Sequence, residues 1–77
     1  MALIANFEPV VSEKNSLHRP VSCGFRSFDH AGNKILQLDT YGTVDRQMPN
    51  KISQSIQIDR KGAEALICLI RETFGDI

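Results

Sequence analysis

Within a single position the pattern of this chain switches from strand spacing to helix spacing. Ile52, Ile56 and Ile58 alternate with Ser53, Ser55 and Gln57, the period-two signature of a half-buried strand, with Gln54 its one exception. Asp59 follows, a residue type that caps helix N-termini by accepting from backbone N–H groups of the first turn. From Arg60 onward Ala63, Leu66, Ile67, Ile70 and Phe74 recur at helical spacing and make one apolar stripe. Gly62 weakens the first turn by roughly 1 kcal/mol relative to Ala, and Gly75 is placed to stop the helix. A strand that runs straight into an amphipathic helix must bury that stripe on something, and the nearest surface is the sheet the strand belongs to.

The rest of that sheet lies upstream. Val21 to Phe28 alternates, with Val21, Cys23 and Phe25 on one face and Ser22, Gly24, Arg26 and Phe28 on the other. Asp29 to Asn33 carries Gly and Asn and reads as a hairpin loop. Lys34 to Tyr41 returns, with Leu36 and Leu38 on one face and Ile35, Gln37, Asp39 and Tyr41 on the other. Gly42 to Lys51 is a longer polar loop. At the front of the chain, Leu3 to Val11 is apolar but contains Pro9, which suits an edge strand or an extended arm. Ser12 to Pro20 is a loop.

The expected fold is therefore one α+β domain over residues 1–77: an arm or edge strand and loop over 1–20, a four-stranded antiparallel sheet through residue 58, and a helix over 59–75 packed on one face. In that arrangement Leu66, Ile70 and Phe74 cover Val21, Phe25, Leu36, Leu38, Ile56 and Ile58, and Ile56 and Leu66 are buried. Seventy-seven residues give a marginal core. With two cysteines in different elements and no leader-like or membrane-length apolar run, the sequence reads as an intracellular, cytoplasmic chain in its reduced state, stabilised as a homodimer.

Chemistry is sparse. His18 and His30 fall in separate loops without partners at metal-ligand spacing, so neither a metal nor a cofactor is expected. Cys23 and Cys68 read as packing residues, and no phosphate loop or nucleophile motif occurs. The chain reads as a non-enzymatic protein. What stands out is the second sheet face, with Ser22, Arg26, Phe28, Gln37, Asp39, Tyr41, Ser53, Ser55 and Gln57. Two aromatics, a guanidinium, amides and hydroxyls are groups that stack on bases and hydrogen-bond their edges. The same face could instead pack against a second subunit or the N-terminal arm. Nine basic and nine acidic residues cancel overall, yet residues 14–61 hold eight basic against four acidic side chains, leaving a positive middle.

The run Gly24-Phe25-Arg26-Ser27-Phe28, the turn Gly32-Asn33-Lys34, the strand Ile35 to Tyr41, the loop with Pro49 and Lys51, and Ser55 to Asp59 entering a helix resemble one family. It is the single-stranded-DNA-binding domain of the transcriptional coactivator positive cofactor four and its bacterial relatives, and the resemblance spans roughly residues 21–74. It implies a sheet backed by one helix, a dimer, and nucleic-acid contacts from Arg26, Phe28, Lys34, Tyr41, Arg46 and Lys51. The competing reading is a protein-interaction module, a small regulatory, phage or defence-associated protein that docks through the same face or through residues 42–51.

Overall fold

A computed structural model describes residues 1–41 and 52–77. Its elements are β1 (Ala2–Leu3), β2 (Cys23–His30), β3 (Asn33–Tyr41), β4 (Ile52–Ile58) and α1 (Arg60–Phe74). The α+β class is as expected. The sheet is mixed rather than purely antiparallel: its spatial order is β1-β4-β3-β2, and β1 runs parallel to β4. The reason is the N-terminal arm. Only Ala2 and Leu3 pair, with one further bond from the Ile4 N–H to the Gln57 carbonyl at 2.9 Å. Residues 5–22 lead from β1 at one edge of the sheet to β2 at the other as an exposed, non-helical connection, so β1 meets β4 only after the chain has passed through β2 and β3.

β2 and β3 form a tighter hairpin than the sequence suggested. The strands reach His30 and Asn33, so the loop is Ala31-Gly32 alone. Both loop residues have positive φ, 50° and 80°, the backbone of a type I′ turn. Gly32 adopts it freely, whereas Ala31 carries a Cβ into the left-handed region. β3 is central, paired with β2 on one side and β4 on the other, with an irregularity between Thr40 and Tyr41.

The helix is bounded as its sequence predicts. The Asp59 carboxylate accepts from the Gly62 N–H at 2.8 Å, and the Gly75 N–H closes the last turn on the Arg71 carbonyl at 2.9 Å. Gly62 is buried because the helix approaches β4 and the end of β1 there: a Cβ would meet Ile58 Cγ2 at 3.2 Å and the Ile4 carbonyl oxygen at 3.6 Å.

Strand register keeps the side chains of β2, β3 and β4 from Gln54 onward on the faces their alternation assigned; at the irregularity Ile52, expected beside Ile56 and Ile58, is instead the partner of Tyr41. Burial departs from expectation. Ile35 and Ile58 are the buried apolar residues among those described, while Gln37, Asp39 and Ser55 are buried polar ones. The expected core face stands largely open: Phe25 is 79% exposed and Ile56 38%, with Val21 and Leu36 also exposed. Leu66 and Ile70 are partly covered and Phe74 is 72% exposed. The helix meets the sheet chiefly along β4, so among the described elements none roofs the β2–β3 half of this face. The radius of gyration, 14.6 Å, exceeds the about 11.5 Å of a compact chain of this length.

Candidate functional site

The polar face is organised by one carboxylate. Asp39 lies on the central strand, opposite Gly24 on β2 and Ser55 on β4. Gly24 offers no side chain, and the Tyr41 ring, two residues from Asp39 on the same face, fills the space. Its hydroxyl oxygen lies only 2.9 Å from where a Cβ on Gly24 would be. On the other side the Ser55 hydroxyl donates to Asp39 Oδ1 at 2.7 Å, and Gln37 Nε2 donates to the same oxygen at 2.9 Å. Arg26 Nη1 donates to Oδ2 at 2.8 Å and closes an ion pair. Gln57 Nε2 extends the chain of donors to Gln37 Oε1 at 2.9 Å.

Three strands are thus tied together through side chains as well as backbone. Asp39 is only 2% exposed, yet each carboxylate oxygen has a donor, and no buried side-chain polar atom among the described residues lacks a partner. The hydrogen bond from Gln37, then that from Ser55, holds the Asp39 carboxyl below the usual carboxylate range; burial pulls the other way, and Arg26 adds its charge. A carboxylate kept ionised and saturated with donors is a structural anchor, poorly suited to proton transfer near neutral pH.

Of the residues singled out by sequence, three share this face. Along edge strand β2 the positions Gly24, Arg26 and Phe28 follow at two-residue intervals, about 7 Å apart. Tyr41 lies over the first, the Arg26 guanidinium occupies the second and the Phe28 ring the third. Arg26 commits one nitrogen to Asp39 while its side chain stays 58% exposed; Phe28 and Tyr41 are half-buried. Lys34 has the opposite strand parity, at the hairpin end, and pairs with Asp29 at 3.3 Å. It lines an open basin of about 610 Å³ between the hairpin and the helix start, together with His30, Asn33, Asp59, Arg60 and Lys61. Arg46 and Lys51 lie outside the described residues.

Sequence reasoning treated Gln37, Asp39, Ser55 and Gln57 as exposed, and the structure corrects this for the first three. The available signal was an acidic residue at mid-strand flanked by amides and hydroxyls of the same parity. Cys23 and Cys68, expected to pack, are both exposed free thiols, because the surfaces they belong to are uncovered. No group of three or more metal-binding side chains gathers among the described residues. No described helix is long and apolar enough to cross a membrane. No protein-family model, curated protein or solved structure matches this chain.

Proposed function

We propose that this chain is a non-enzymatic binding module that works as a homodimer and holds a single-stranded nucleic acid along β2. The observation that carries the reading is the row Tyr41–Arg26–Phe28, an aromatic, a guanidinium and an aromatic on one face at even spacing. Rings and guanidinium planes stack bases with little regard to sequence, each for about 1–3 kcal/mol. The hydrogen bonds around Asp39 hold Arg26 in place before any ligand arrives, which lowers the ordering cost of binding. Lys34, with Arg46 and Lys51 from residues 42–51, supplies phosphate contacts.

The test is a fluorescence anisotropy titration with a mixed-sequence single-stranded oligonucleotide at two salt concentrations. Binding should weaken steeply with salt, as phosphate contacts do. Tyr41→Ala should weaken it at both concentrations by about 1–3 kcal/mol, and Lys51→Ala mainly at low salt. Absence of binding by the wild-type protein at low salt would sink the reading. A specific observation favours the alternative, a protein-interaction module using this face or residues 42–51: Arg26 and Lys34 each already face a carboxylate. A protein partner whose affinity ignores salt would establish that alternative.

A further inference from the structure

We infer that the open apolar half of the sheet, around Phe25, Leu36 and Ile56, and the outer edge of the helix, Ile67 and Phe74, together form the contact with a second copy of this chain. The inference deepens the homodimer reading above, on which it rests for the number of subunits alone, and identifies the face that makes it.

Three observations lead to it. The first is the fold's own deficit. Among the described residues Ile35 and Ile58 are the buried apolar ones, and the other large hydrophobic side chains are partly or largely exposed. A chain of 77 residues needs most of its apolar surface buried to offset chain entropy. The covering partner must therefore be present whenever the chain folds, and the partner that always satisfies this is another copy.

The second is the matching of two deficits in one molecule. The sheet has an apolar half that α1 does not roof, because the helix meets the sheet chiefly along β4. The helix has an apolar stripe wider than β4 can cover: Ala63, Leu66 and Ile70 are partly shielded, while Ile67 is 47% exposed and Phe74 72%. A two-fold pairing presents the same patch from both protomers, so each copy's helix edge and sheet half can cover the other's.

The third is area. Taking aromatic side chains at 150–250 Å² each, the exposed parts of these five residues amount to roughly 500 Å² per copy. A standard interface buries about 800 Å² per partner, of which about 65% is apolar in homodimers. The patch supplies that apolar share. Phe25, Leu36 and Ile56 share their face with Cys23, Ser27, Leu38 and Thr40; the exposed ion pair of Lys34 with Asp29 borders it at the hairpin end, and that of Arg26 with Asp39 lies on the opposite face. The nucleic-acid row and the subunit contact thus occupy opposite faces and do not compete.

The test uses the full chain. Light scattering across a concentration series should give twice the chain mass, and Phe25→Asp and Phe74→Asp should each shift the dimer constant at least a hundredfold toward single chains, while Phe25→Leu keeps the dimer. Cys23, exposed in the single chain and on the same face as Phe25, provides a second readout needing no variant. Its labelling by a maleimide should slow at least tenfold between nanomolar and high-micromolar protein. If the aspartate variants fail to fold, that labelling decides the matter. A wild-type protein of single-chain mass at every concentration, Cys23 labelling that ignores concentration, or a dimer that persists in both aspartate variants would overturn the inference. Loss of oligonucleotide binding with the dimer intact would instead count against the nucleic-acid reading alone.

Discussion

The two faces of this sheet are built on opposite principles. One is closed by hydrogen bonds: Asp39, Gln37 and Ser55 are buried polar side chains, each satisfied by a neighbour on the same or the adjacent strand. The other is apolar and largely open, with Phe25 and Ile56 in water. Hydrogen bonds between neighbouring strands can be satisfied inside one sheet, so the polar face is complete by itself. Hydrophobic burial needs a second layer, and the described residues bring one helix, docked on one side of the sheet's width. Being buried and being hydrophobic are therefore separate matters here, and the unfinished face is the one that calls for a partner.

That contrast can be broken most forcefully at the isoleucines of β4. Ile58 is buried within the single chain, and Ile58→Ala should cost roughly 2–5 kcal/mol, read by denaturant unfolding. Ile56 lies on the same face two residues earlier but is exposed in the single chain. Its Ala variant should cost clearly less at nanomolar protein and approach the Ile58 value at high concentration, where the second copy covers it. Equal costs at all concentrations would mean that the single chain already closes this face.

The polar face is probed through Asp39 and acid. Its carboxyl is held below the ordinary value of 3.8, so the folded state favours the ionised form. The resulting stabilisation is complete above the unfolded-state value and is lost as pH falls through the lower folded-state value. Thermal melts of the wild type should therefore drop as pH falls below the ordinary carboxylate value, and Asp39→Asn should flatten that part of the profile while lowering stability at pH 7. Ser55→Ala removes one donor to a charged acceptor and should cost roughly 1.5–3 kcal/mol. An unchanged acid limb in Asp39→Asn would show that other carboxylates govern it.

The smallest expected effect is at the hairpin. Ala31 holds φ at 50° in a two-residue turn whose first position favours Asn. Ala31→Asn should stabilise by roughly 0.5–1 kcal/mol, measured as a rise in melting temperature without change in oligonucleotide affinity. A fall would show that the turn differs from type I′.

Much of this architecture is legible locally. Asp59 and Gly75 bound the helix as capping chemistry demands, and alternation assigned Arg26, Phe28 and Tyr41 to one face before any register was known. These features depend on neighbours a few residues away. The parallel docking of Ala2–Leu3 on β4 was not legible, because nothing in those two residues specifies a partner 54 positions on. Nor was the closure of the polar face: Gly24, Asp39 and Ser55 look like solvent-facing residues one strand at a time, and become a buried cluster only when three strands set them side by side.

By itself, then, the sequence determined the elements, their faces and the strand-to-helix switch at Asp59, since backbone preference, capping and periodicity act over a few residues. The tertiary structure alone decided which face is buried and how far the helix reaches across the sheet. Burial depends on what lies over a side chain, and for the apolar half of this sheet nothing within the described part of the single chain does.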